Sequence, residues 1–194
     1  DYALSSFGLC RLLKVSGNAY DGILIACYGD PGLYAAKEIC DCPVLGIAET
    51  SIAMSFLLGN RFSILAASEK AVPMMEHMVA QYGMDHRLAG VFPLNMSVLD
   101  AEANRGETVS RLIEEGKKAV SKGAEVLILG CAGMTGFGGP VSQALGIPVM
   151  DPVETSFLTL EMMCRGGFKT SKNGLYKPPG KKRIKREYLL TENI

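Results

Sequence analysis

Two cysteines stand where a chain could use them as reagents. Cys27 closes the apolar run "GILIAC" and is followed at once by Tyr28, Gly29, Asp30, Pro31 and Gly32. Cys131 closes "AEVLILGC" and is followed by Ala132 and Gly133. A buried run that stops on a thiol at a turn puts the sulfur at a strand end. In an open parallel sheet, ligands bind at the carboxyl ends of the strands. A thiol ordinarily titrates near about 8.5, so a modest shift supplies thiolate at neutral pH. A helix beginning just beyond it favours negative charge there. Gly29 and Gly133 let a ligand approach the main chain closely. Two such thiols on opposite faces of one carbon could invert it without a cofactor. One thiolate removes the proton, the opposite thiol returns one, and main-chain N–H groups hold the charge that develops on a neighbouring oxygen.

Such chemistry needs a scaffold that brings both strand ends together, and the chain alternates accordingly. Helical spacing of apolar residues runs over 2–13, 32–40 and 49–59. The same spacing returns over 70–82, where Pro73 lies in the first turn and Gly83 ends the run, and over 154–165. The clearest helix is 104–122, with Val109, Leu112, Ile113, Gly116 and Val120 on one face. Short continuous apolar runs lie between: "GILIAC", "PVLGI", "RFSILAA", "LAGVFPL", "AEVLILGC" and "IPVMD". Runs of this kind fit parallel strands covered on both faces. The expected fold class is α/β with parallel sheets.

The chain also repeats itself. "CPVLGIAETS" at 42–51 matches "IPVMDPVETS" at 147–156, so that Pro43, Val44 and Glu49-Thr50-Ser51 meet Pro148, Val149 and Glu154-Thr155-Ser156 at a spacing of 105. Cys27 meets Cys131 at a spacing of 104, and one inserted residue reconciles the two. Strand, thiol, turn, helix, Pro-Val strand and Glu-Thr-Ser helix occur twice in one order. The pattern predicts a duplicated unit. Two similar Rossmann-like, flavodoxin-like lobes related by a pseudo-twofold axis would face their cysteines across a shared cleft. The expected division is 1–59 for the first lobe and 60–152 for the second. The terminal helix and basic tail, 153–194, would pack back on the first lobe. The second unit opens with a strand near residue 61 that the first lacks, so about 45 further residues are expected before Asp1.

The blocks "ACYGDPGL", "PVLGIAETS", "GNRFSILAAS", "LGCAGM" and "IPVMDPVE" resemble the Asp/Glu/hydantoin racemase superfamily, and most closely its hydantoin and allantoin racemase branch. The similarity runs from about Asp21 to the motif "TSKNGLYKPP". It implies two α/β lobes with the active site between them and no metal or cofactor. It implies that Cys27 and Cys131 are the catalytic pair. Tyr28, Gly29, Ala132 and Gly133 match the backbone that holds substrate oxygens in that family. Ser68 stands in the strand-end stretch Ala66-Ala67-Ser68, where members usually carry Thr. The implied activity is racemisation beside a carbonyl in a 5-substituted hydantoin or allantoin. Aspartate or glutamate racemisation and a maleate-type cis-trans isomerisation are sister alternatives. Arylmalonate decarboxylases of the superfamily keep only the second cysteine, so Cys27 argues against that activity. A non-catalytic small-molecule binder on the same frame would need neither thiol.

Other features carry blander readings. Cys10, Cys40 and Cys164 read as small hydrophobes. Cys40 and Cys42 form a C-x-C pair, but without Cys-x-x-Cys and with only His77 and His86 as histidines, a zinc site is not expected. Both histidines read as surface residues. Asp30, ahead of Pro31, reads as the cap of the helix that follows it. Glu49 and Glu154 suit helix starts. "GMTGFGGP" lacks a P-loop lysine and puts Val141 where a dinucleotide fingerprint needs glycine. Hydrophobic residues make up 48% of the chain, and 20 basic side chains balance 20 acidic ones. That balance argues against a general polyanion binder, so no nucleic-acid partner is expected. No apolar run reaches the roughly 18 residues of a membrane span. Six cysteines without a dense framework fit a reducing, cytoplasmic setting. The basic tail is expected to be a solvated arm or a strap across a neighbouring subunit of a homo-oligomer.

Overall fold

The computed structural model describes residues 2–16 and 19–180. The helix α1 (Tyr2–Ser16) leads into β1 (Ile23–Ile25), α2 (Leu33–Ile39), β2 (Val44–Gly46) and α3 (Ile47–Ser55). A second series follows: β3 (Phe62–Ala66), α4 (Val72–Gln81), β4 (Leu88–Pro93), α5 (Val98–Ala103), α6 (Arg105–Ser121), β5 (Val126–Leu129), α7 (Gly138–Leu145), β6 (Val149–Met150) and α8 (Pro152–Arg165). All pairings are parallel. β1 and β2 form one sheet, and the other runs in the order β4-β3-β5-β6. The fold is α/β, as the alternation of the sequence predicts. Among the described residues, no helix is long and apolar enough to cross a membrane.

Alternation along the strands divides the core. Phe62, Ile64 and Ala66 of β3, with Val126 and Ile128 of β5, face a cluster that also takes Met75, Met78 and Val79 of α4. Ile47, Ala48 and Ile52 of α3 and the ring of Tyr28 enter the same cluster, so it joins the two sheets. Leu65, Leu127 and Leu129 point to the opposite face, where α6 and α7 cover them through Leu112, Ala119 and Val141. Side chains one residue apart on a strand must take opposite faces, which is why a continuous apolar run fits here. A third cluster, of Leu13, Ile25, Leu33, Ala36, Cys40 and Val44, sits under α1 and α2.

Several elements differ from expectation. α3 starts at Ile47 and closes at Ser55, and residues 57–59 turn back on it through N–H bonds to the carbonyls of Met54 and Ser55. The helix α5 was not expected from apolar spacing. The buried face of α6 is Thr108, Leu112, Gly116 and Ala119, while Val120 lies at its exposed edge. Gly116 is needed there for space, because a Cβ would meet Leu145 of α7. After α8, Lys172 donates to the carbonyls of Lys37 and Cys40, the latter at 2.6 Å, and so caps the end of α2. Tyr176 lies against Tyr34, ring centroids 5.9 Å apart. The basic cluster beginning at Lys181 lies outside the described residues.

Candidate active site

Both cysteines stand two residues past the last residue of a strand, Cys27 after β1 and Cys131 after β5. Their sulfurs are free thiols, Cys27 exposed and Cys131 half-buried. The carbonyl of Cys27 accepts from the N–H groups of Gly29 (2.8 Å) and Asp30 (3.0 Å), which fixes a tight turn. The carbonyl of Cys131 accepts from Met134 at 3.1 Å across a single 3-10 turn, Ala132–Met134. Among the described residues, the N–H groups of Tyr28, Ala132 and Gly133 make no hydrogen bond within the chain, whereas that of Gly29 is already engaged. Burial pushes the Cys27 thiol up, and negative charge on Cys131 and then on Asp30 pushes it further. Charge on Cys131 therefore disfavours charge on Cys27.

The loops after the cysteines are walled in matching ways. A Cβ on Gly29 would overlap the ring of Tyr2, and a Cβ on Gly133 would overlap the side chain of Val98. Tyr2 lies on α1 and Val98 on α5, so each glycine is faced by a helix side chain, a phenol at Gly29 and an isopropyl group at Gly133. The Tyr2 phenol is held protonated by burial, then by the charges of Cys27, Cys131 and Asp30. Ser68 is exposed at the end of β3, the strand beside the one that delivers Cys131. Its loop is fastened to the end of β4: Leu94 and Met96 donate to the carbonyls of Ala66 and Ala67, and Asn95 Oδ1 accepts from the Glu69 N–H. Tyr28 turns its ring into the core, which leaves only its main chain for a ligand. A cavity of about 360 Å³ adjoins Gly29 and Asp30, lined further by Tyr2, Tyr34, Met78 and Tyr82. His77 and His86 are exposed.

Asp30 corrects its expected role. α2 starts at Leu33, capped by Gly32 in a left-handed conformation with no side-chain bond. Asp30 itself sits at φ 44, buried, and its carboxylate turns away from α2. It accepts instead from Ala48 N–H (3.1 Å) and Glu49 N–H (2.7 Å) at the start of α3, and from the Tyr82 hydroxyl (3.1 Å). The true cap is thus made across 18 residues of chain. Tyr82, and Gly46, whose missing Cβ makes room for the Asp30 carboxyl, were not singled out from the sequence. Glu49 pairs with Lys37 at 2.6 Å, a structural ion pair, and Glu154 is exposed.

Burial raises the Asp30 carboxyl to about 6, against hydrogen bonds from Glu49, Ala48 and Tyr82 that lower it. The folded state therefore binds this proton more tightly than the unfolded chain, so stability falls as pH rises from about 4 to about 6. The single group sets an upper bound of about 3 kcal/mol on that fall. Asp30→Asn should flatten it, as read from urea unfolding midpoints between pH 4 and pH 7. An equal slope in both proteins would contradict the assignment.

A match to the family model described as Asp/Glu/Hydantoin racemase covers residues 1–158. The hydantoin racemase of Pseudomonas sp. (strain NS671) is 42% identical over 173 residues, which is 89% of this chain and 70% of the relative. The hydantoin racemase of Paenarthrobacter aurescens is 38% identical, covering 94% of this chain and 78% of the relative. Among solved structures, the allantoin racemase from Klebsiella pneumoniae superposes with a TM-score of 0.88 at 31% identity, over 95% of this chain and 76% of that one. The paired strand-end thiols, the parallel α/β frame and these likenesses agree, and the chain belongs to the Asp/Glu/hydantoin racemase family as an isomerase of the racemase type.

Proposed function

We propose that this racemase inverts the carbon beside a carbonyl in 5-substituted hydantoins, with Cys27 and Cys131 as the two acid–base groups. The carrying observation is their equivalent placement, each two residues past the end of a parallel strand, with negative charge on Cys131 disfavouring charge on Cys27. That coupling favours one thiolate facing one thiol. The thiolate takes the C5 proton as the C–H bond breaks and an S–H bond forms. The electron pair moves onto the adjacent carbonyl oxygen. The opposite thiol then gives its proton to the other face of the carbon. The enantiomer uses the same groups in reverse. The N–H groups of Tyr28, Ala132 and Gly133 are free to hold the oxygen on which charge develops, and Ser68 offers a hydroxyl at the neighbouring strand end. Gly29, whose own N–H is engaged, supplies the room that the Tyr2 ring occupies rather than a donor. The two cysteine loops would sit about a pseudo-twofold axis, with the cleft between the lobes as the site. Nothing in this scheme calls for a metal or a cofactor.

The substrate reading has its own support. Relatives named hydantoin racemase share 42% and 38% identity with the chain, against 31% for the allantoin racemase. Val98 beside Gly133 and the ring face of Tyr2 beside Gly29 offer surfaces that suit an alkyl or aryl substituent. The test incubates L- and D-5-alkylhydantoins, and allantoin in parallel, in deuterium oxide. Optical rotation and the α-proton signal are expected to decay together for the hydantoins, with allantoin slower. Exchange with allantoin alone would move the assignment to that substrate. No exchange with either would remove the hydantoin and allantoin reading.

A further inference from the structure

Asp30 does more than cap a helix. Its main-chain N–H bonds the carbonyl of Cys27, three residues back, while its carboxylate grips the first turn of α3. The same Oδ2 that accepts from Glu49 also accepts from the hydroxyl of Tyr82, at the end of α4 beside the four-stranded sheet. One short turn therefore ties Cys27 to its own half and to the opposite one. The Cys131 side is tied differently. There Asp151, at the start of α8, caps its own helix through Val153 (3.0 Å) and Glu154 (3.2 Å) and accepts from Gly136 N–H (2.8 Å) in the loop after Cys131. Thr135 of that loop touches the same carboxylate at 3.4 Å. No side chain of β1, α2, β2 or α3 hydrogen-bonds Asp151. Each thiol loop is thus fastened to a helix start by one aspartate: Asp151 ties the Cys131 loop to α8, which itself packs on α3, β1 and β2, whereas Asp30 ties the Cys27 loop to α3 and, through the Tyr82 hydroxyl, directly to α4.

We propose that Asp30 and Tyr82 are positioning residues for Cys27, a clasp that sets this thiol against the substrate carbon from the opposite half of the molecule. The proposal rests on the reading that Cys27 is one of the two bases. It assigns neither residue a contact with the substrate. Its signature is selectivity, since loosening the clasp should impair the Cys27 face and leave the Cys131 face alone. Asp30 holds a left-handed backbone, φ 44, while its carboxylate makes these three bonds.

The experiment places Tyr82→Phe, which removes one oxygen and keeps the ring, in two single-thiol backgrounds. With Cys131→Ala only Cys27 remains, and with Cys27→Ala only Cys131 remains. Exchange of the hydantoin α-proton with deuterium oxide is followed for each enantiomer. Tyr82→Phe should slow exchange about tenfold beside Cys131→Ala, in kcat with KM within twofold, and change it less than twofold beside Cys27→Ala. Equal loss in both backgrounds, or no loss in either, overturns the clasp. If neither parent exchanges any proton, it is the two-thiol reading that fails. The clasp is then judged by alkylation with iodoacetamide, comparing the otherwise unaltered protein with Tyr82→Phe by peptide mass mapping. The clasp expects Cys27 to react at least threefold faster in the variant and Cys131 at an unchanged rate. Identical Cys27 rates overturn it. Asp30→Asn, measured in the same way, should reproduce the selectivity.

Discussion

Cys131→Ala is expected to lower racemisation of a 5-alkylhydantoin by at least about a thousandfold while the protein keeps exchanging the α-proton of one enantiomer. Cys27→Ala should do the same with the other enantiomer. The asymmetry follows from geometry. Each remaining thiol reaches one face of the carbon, so it can take and return a proton there without inverting the centre. Both substitutions are small at positions that are exposed or half-buried, so the fold should survive them. The measurement pairs circular dichroism at a fixed wavelength with proton NMR in deuterium oxide. A single variant that racemises at the original rate would end the two-thiol mechanism. Loss of exchange for both enantiomers in both variants would point to a base outside this pair.

The second large effect concerns the fold. Gly46 ends β2 at φ −103, an ordinary extended conformation, so its lack of a side chain is a matter of space. A Cβ there would overlap the carboxyl of Asp30, which three hydrogen bonds hold in place. Gly46→Asp should therefore cost about 3 kcal/mol of stability or more, through crowding and two close carboxylates. The same substitution made together with Asp30→Gly should recover more than half of that loss. The aspartate at 46 would then cap α3 from within, as Asp151 caps α8, and Gly at a φ of 44 is unstrained. Urea unfolding of the two single variants and the double variant gives the coupling directly. Additive losses would show that the room at Gly46 is not made for Asp30.

Much of this was legible in the sequence for a physical reason. Parallel strands covered on both faces are written as continuous apolar runs, and "RFSILAA" and "AEVLILGC" became β3 and β5, at the middle of the larger sheet. The thiols were legible because a cysteine closing such a run can only stand at a strand end. α5 was missed because six residues are too few to display a helical period. Its signal lay in Ser97, whose hydroxyl accepts from the Asp100 N–H three residues on. The role of Asp30 was misread because local chemistry offered a nearer cap. Proline after an acid commonly opens a helix, and here the turn at Gly32 delays it. Yet the repeat held a clue. With Met134 taken as the inserted residue that changes the spacing from 104 to 105, Gly46 stands opposite Asp151 and Asp30 opposite Thr135, an acid exchanged between two positions that touch. Tyr82 had no such marker, since a tyrosine near the end of a helix is ordinary until the fold brings a buried carboxylate to it.

That exchange has an ancestral consequence. If the two halves descend from one shorter gene, a symmetric pair of its products would have carried the acid at the same place in both. The relocation from the helix start to the loop, or the reverse, then had to follow the joining of the two copies into a single polypeptide. Only after fusion could one copy drift while the other kept its form. A reconstructed ancestor of half the length should accordingly show both acids on the same side of this exchange.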